Sequence, residues 1–136
     1  MKEQLKDFFE YKILIIDDLT SMRENLKTIL SDLGFSFFDE SIDGKQALAL
    51  ALDKARFHIP YDIIFIDIYM PVMDGVTLLK NLRRTDSYSN TPIFMVSTAN
   101  EKSIIINSIL YGATDYILKP YNLELVSRKL ISVLTK

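Results

Sequence analysis

At 136 residues, 49% hydrophobic and 25% charged, the chain has the size and balance of one globular domain. Sixteen Lys and Arg against 18 Asp and Glu leave a formal net charge of −2, without the basic excess of a free-standing nucleic-acid binder. Cysteine is absent and His58 is the one histidine, which excludes disulfides, thiol nucleophiles, Cys-rich zinc sites and His-pair metal sites, so any metal must be held by oxygen. The apolar runs fall far short of the roughly 20 residues of a membrane span, and residues 1–11 carry acids where a signal peptide would be apolar. A cytoplasmic protein that binds neither membrane nor nucleic acid is expected.

In chain order, Leu5, Phe8 and Phe9 open the sequence at i, i+3, i+4 spacing, which suits either a short docked helix or a frayed tail. Residues 13–16, 63–66 and 93–96 are continuously apolar and rich in β-branched side chains, as in strands buried on both faces of a parallel sheet. Residues 35–38 and 116–118 are weaker runs that suit edge strands. Between them lie helical stripes: Met22, Leu26, Ile29, Leu30 and Leu33; Ala47, Leu48, Ala51 and Leu52; Val76, Leu79 and Leu82; and Leu123, Val126, Leu130, Val133 and Leu134. Residues 104–111 are apolar on too many sides for all to face a sheet at 100° per residue, so some apolar surface should be exposed there. Gly34 and Gly112 follow helical stripes where left-handed caps are wanted, and Asp43 with Gln46 and Ser21 with Glu24 have capping-box spacing.

Five βα units without a linker or repeat predict a doubly wound α/β fold, (βα)5, with a parallel five-stranded sheet in three layers. Strand order 2-1-3-4-5 would place the switch point between strands 1 and 3, and ligands at their carboxyl ends. Those ends are polar: Asp17-Asp18 after strand 1, Asp67 at strand 3, Ser97-Thr98 at strand 4, Lys119-Pro120 after strand 5. Asp18 alone could be an ordinary helix cap. Three carboxylates converging in one pocket repel each other unless a pKa rises or a cation bridges them, and oxygen-only ligation points to Mg2+. Lys119 could pair with a carboxylate or a phosphoryl oxygen. Neither G-x-G-x-x-G, a P-loop, a spaced Asp-x-Asp-x-Thr nor G-x-S-x-G is present, and His58 is too isolated for a triad.

The residues Asp17-Asp18, Asp67-Ile68-Tyr69-Met70-Pro71-Val72-Met73-Asp74-Gly75, Ser97-Thr98-Ala99 and Lys119-Pro120-Tyr121, in this order and each at a strand end, resemble the receiver domain of two-component response regulators. The likeness runs from about residue 11 to the end, which divides the chain into an extension, 1–10, and a receiver domain, 11–136. It implies a flavodoxin-like sandwich in which Asp67 is the phosphoacceptor for a histidine kinase or phosphotransfer protein, and Mg2+ is bound by Asp18, Asp67 and the backbone carbonyl of Tyr69, with Asp17 holding the metal's waters. Lys119 would neutralise a phosphoryl oxygen, Ser97 would be the switch hydroxyl, Tyr116 the aromatic that turns inward, and the Lys119–Pro120 peptide cis.

The resemblance further implies a signalling protein rather than an enzyme, phosphorylated by small phosphodonors. Tyr69 and Ala99 offer no base two residues beyond Asp67 and Ser97, so slow self-dephosphorylation is expected. Because little chain follows the last helical stripe, output is expected by contact, through a face made of helix 4, strand 5 and helix 5 and centred on Ile105, Ile109 and Tyr116. Asp18-Leu19-Thr20-Ser21-Met22-Arg23 is similar to the stand-alone chemotaxis-type receivers, which makes the flagellar motor switch a candidate partner and a phosphorylation-dependent homodimer another. A phosphorelay shuttle and a phosphorylation-independent scaffold are the alternatives.

Overall fold

The computed structural model describes residues 1–98 and 101–136. Five parallel strands, β1 (Lys12–Ile16), β2 (Phe37–Ser41), β3 (Ile63–Asp67), β4 (Ile93–Ser97) and β5 (Asp115–Leu118), lie in the order β2-β1-β3-β4-β5, as expected. Helices α1 (Thr20–Asp32), α2 (Gly44–Arg56), α3 (Gly75–Arg83), α4 (Lys102–Leu110) and α5 (Leu123–Leu134) connect or follow them. Side chains alternate across the sheet, so the continuous apolar runs feed two cores. Leu14, Ile16, Ile64, Ile66, Ile93 and Met95 pack with Ala47 and Ala51 of α2 and Leu78, Leu79 and Leu82 of α3. Ile13, Ile15, Ile63, Phe65, Phe94, Val96 and Ile117 pack on the other face with Leu26 and Leu30 of α1 and Val126 and Leu130 of α5. No helix among the described residues is long and apolar enough to cross a membrane.

Caps stop and start the helices where short polar side chains allow. The carboxylates of Asp43 and Asp74 and the side-chain carbonyl of Asn122 accept from the backbone N–H groups of Gln46, Thr77 and Leu125. Gly75 must lack a side chain for a different reason: a Cβ there would lie 2.2 Å from the Asp67 carbonyl oxygen, so α3 starts pressed against the end of β3.

Two local expectations are corrected. Strand 2 begins at Phe37 and not at residue 35; Phe35 is buried in the α1–α5 core, while the strand itself carries Asp39 and Glu40, whose charges are met by Lys54, Arg23 and Lys27. Neither Ser21 with Glu24 nor Asp18 caps α1. Leu19 occupies the cap position without a side-chain bond, and the Asp17 carboxylate instead takes the Leu19 N–H at 3.0 Å.

Lys2–Phe8 form a docked 3-10 helix, with Leu5 fully buried against the α5 side of the sheet. Phe9 fills the space where Gly34, at φ +110°, has no Cβ, and meets Phe35 edge-on at 6.2 Å. Burying one leucine stabilises by roughly 1.5–3 kcal/mol. Removal of residues 1–9 should therefore lower the unfolding free energy by about 3 kcal/mol, read as a drop in the urea midpoint.

Candidate functional site

Register builds the site. Ile16 of β1 is opposite Ile66 of β3, which puts Asp17 level with Asp67, and Ser97 of β4 is opposite Leu118, which puts Lys119 one step beyond. Asp17, Asp67 and Lys119 share the parity of Ile15, Phe65 and Ile117, whereas Ser97 shares that of Met95, so alternation sends the charged groups and the hydroxyl toward opposite faces.

One carboxylate oxygen each from Asp17, Asp18 and Asp67 lie within 4.8 Å of one another, with Asp17 and Asp67 buried and Asp18 exposed. The Lys119 ammonium donates to Asp17 Oδ2 at 2.9 Å and stands 3.7 Å from Asp67 Oδ1. Three carboxylates against one ammonium leave two uncompensated negative charges when all ionise. The cost is visible at Asp67: burial first, then the negative charges of Asp17 and Asp18, push its carboxyl up to about 6 despite the opposing pull of Lys119. Burial and the Asp17 carboxylate likewise push the Tyr121 phenol, on the wall of this pocket, up to about 12. Hard oxygen ligands with excess negative charge fit a divalent cation, for which Asp17, Asp18 and Asp67 supply side-chain oxygens. The Lys119–Pro120 peptide is cis. Val72, in the loop after Asp67, has φ +70° and centres a γ-turn closed by Met73 N–H to the Pro71 carbonyl at 2.8 Å, a strained arrangement for a β-branched residue.

Ser97 is buried, and its side chain is hydrogen-bonded to Tyr116, whose phenol burial holds above its ordinary pKa. Tyr69, two residues after Asp67, is exposed and lines a separate cleft with Asp74, Lys80 and Tyr111, and Ala99 lies outside the described residues. The apolar surface expected of helix 4 is there, but it is made by Ile106, Ile109, Leu110 and Tyr111. Ile105 is half-buried and packs on the core, and Tyr116 is turned in, 7% exposed, so of the three expected face residues only Ile109 projects. Ile105 and Tyr116 line a cleft of about 330 Å3 on this same face, between α4, β5 and α5, with Asp115, Leu118, Leu125 and Lys129. Arg23, which the sequence offers only as the end of the chemotaxis-type motif, also reaches the site: its guanidinium donates to the Asp17 carbonyl at 2.8 Å, a bond to backbone that the motif does not specify.

Residues 13–131 match the response regulator receiver domain family. The chain is 38% identical over 116 residues to the chemotaxis protein CheY of Bacillus subtilis, covering 85% of this chain and 91% of that one. It is 37% identical over 119 residues, 88% of each chain, to CheY-3 of Vibrio cholerae. Among solved structures it resembles Vibrio cholerae CheY4 at TM-score 0.80 and 35% identity, covering 91% and 98% of the two chains. A chain of the CheX–CheY–BeF3–Mg complex of Borrelia burgdorferi superposes at TM-score 0.84 and 28% identity, covering 96% and 94%. With its five-stranded fold, its acidic pocket and these relatives, two of which are chemotaxis CheY proteins at 37–38% identity, the chain belongs to the response regulator receiver domain family.

Proposed function

We propose that this chain is a phosphorylation-activated signalling switch whose acceptor is Asp67. The observation that carries the reading is the convergence of Asp17, Asp18 and Asp67 within 4.8 Å, with Lys119 reaching two of them. An Asp67 carboxylate oxygen forms the new O–P bond while the P–N bond of a histidine kinase or phosphotransfer protein breaks, its electron pair leaving on the imidazole nitrogen. Lys119 takes up negative charge on the transferring phosphoryl group. Asp17, Asp18, Asp67 and the Tyr69 carbonyl would hold Mg2+, which when bound supplies charge neutralisation at the phosphoryl oxygens. Residues 11–136 serve as the receiver and residues 1–10 as a docked extension, working in the cytoplasm.

Incubation of the full chain with acetyl phosphate and Mg2+ should add one phosphoryl group, and Asp67→Asn or chelation should abolish it. The label should then decay slowly, because Tyr69, two residues beyond Asp67, offers no base to an attacking water. A label on Ser97 or His58 would overturn the acceptor assignment.

Phosphorylation adds about −1.5 to −2 charge and new acceptor oxygens, favouring conformers in which Ser97 and Lys119 answer them. Both lie next to the face of α4, β5 and α5, the proposed contact for a downstream protein, with the flagellar motor switch the first candidate and a second copy of this chain the next. A beryllofluoride mimic should shift amide signals across residues 97–121, and Ile109→Asp should weaken partner binding without affecting labelling. Shifts confined to the loops after β1 and β3 would favour a phosphorylation-independent scaffold.

A further inference from the structure

Every polar atom of Asp17 is engaged. Its N–H donates to the Ser41 carbonyl at 3.2 Å, Oδ1 accepts from Leu19 N–H at 3.0 Å, Oδ2 accepts from Lys119 at 2.9 Å, and its carbonyl accepts from Arg23 Nη1 at 2.8 Å. Two of these bonds bracket Asp18: Arg23 holds the peptide before it, and Asp17 Oδ1 holds the peptide after it. The direction in which the Asp18 carboxylate leaves the chain is therefore set from both sides by backbone anchors.

Arg23 is itself fixed. Its Nε donates to Glu40 Oε1 at 3.1 Å and Nη2 to Thr20 Oγ1 at 3.2 Å, and its side chain is only 11% exposed. Glu40 is held in turn by Lys27 at 2.8 Å on its other oxygen. The rigid guanidinium fork spans α1, the edge strand β2 and the loop carrying the acid pair, a task a single ammonium could not perform.

We propose that Arg23, locked by Glu40, is a positioning residue that aims the Asp17-Asp18 loop for divalent-cation binding. This rests on the proposed Mg2+ site. The role is geometric, and electrostatics predicts the opposite sign: removing a positive charge beside an acidic pocket would by itself strengthen cation binding. Groups that orient metal ligands change affinity by about 10- to 100-fold when removed.

The test is calorimetric titration of Mg2+ into the full chain at constant ionic strength, comparing wild type, Arg23→Ala, Arg23→Lys, Glu40→Ala and the double alanine variant. Leu5→Ala serves as a control destabilised far from the pocket. Arg23→Ala should weaken Mg2+ binding about tenfold while Leu5→Ala leaves it unchanged. Adding Glu40→Ala to Arg23→Ala should cost nothing further, because Glu40 acts through Arg23. Unchanged or tighter binding in Arg23→Ala, wild-type affinity in Arg23→Lys, or additive losses in the double variant would each overturn the proposal. Absence of Mg2+ binding by wild type would overturn the metal site and with it the cation-binding role of Arg23, whereas failure of the positioning itself is read separately in the metal-free protein. There Arg23→Ala should displace the Asp18 and Leu19 amide signals, and unmoved signals would refute it.

Discussion

Asp67→Asn should stabilise the protein in the presence of a chelator at pH 7.5, by about 2 kcal/mol or roughly 5–10 °C in Tm. The folded state pushes the Asp67 carboxyl from an ordinary 3.8 up to about 6. For an acid shifted upward, the charged form is the disfavoured one, so the penalty is absent below pH 4, where the group is protonated folded or unfolded. It grows as pH rises toward 6 and is complete above it. A two-unit shift corresponds to about 3 kcal/mol, an upper figure because the folded chain relaxes around the charge. Asparagine keeps the shape and removes the charge. Millimolar Mg2+ should narrow or reverse the gap, since a cation relieves the same repulsion in wild type. Urea melts of both proteins at pH 4 and 7.5, with chelator and with Mg2+, separate these effects, and equal stabilities at pH 7.5 under chelation would show that the acid cluster carries no strain.

The legible parts of this molecule are those where one residue's neighbours in sequence decide its environment. The runs at 13–16, 63–66 and 93–96 have the continuous apolar character of strands buried on both faces, and given the order 2-1-3-4-5, which the receiver resemblance supports, Asp17, Asp67 and Lys119 fall at the carboxyl edge of the sheet. Strand 2 was misplaced because an edge strand needs only one buried face, and Asp39 and Glu40 are stabilised by partners far along the chain: Tyr61, Lys54, Arg23 and Lys27. The Ser21–Glu24 spacing misled for a related reason, since the Asp17 carboxylate had already taken the N–H at the start of the turn. Tyr116 illustrates a third kind of gap. Its place on β5 is written in the sequence, but its inward rotamer depends on Ser97 and on the packing of α4, which local pattern does not encode.

Lys119→Met should separate two properties that a damaged site would lose together. The ammonium stands 2.9 Å from Asp17 and 3.7 Å from Asp67 with its side chain 10% exposed, so it competes with any divalent cation for the same carboxylates. Without it the pocket keeps three negative charges and loses the group that opposes the rise of the Asp67 carboxyl. Mg2+ should bind more tightly, by about tenfold, because the cation no longer shares its ligands with a resident positive charge. Phosphoryl transfer should move the other way. In the proposed transfer Lys119 meets charge that develops on the phosphoryl oxygens, and removing one such group costs about 100-fold in rate. Acetyl phosphate labelling at saturating Mg2+ should therefore slow by about that factor even though the metal is held better. Lys119→Arg, which keeps the charge but not the point geometry, should bind Mg2+ like wild type and still transfer slowly. A Met variant that bound Mg2+ more weakly would refute the competition between Lys119 and the cation, and one that labelled at the wild-type rate would remove Lys119 from the transfer step and leave it a structural partner of Asp17 alone.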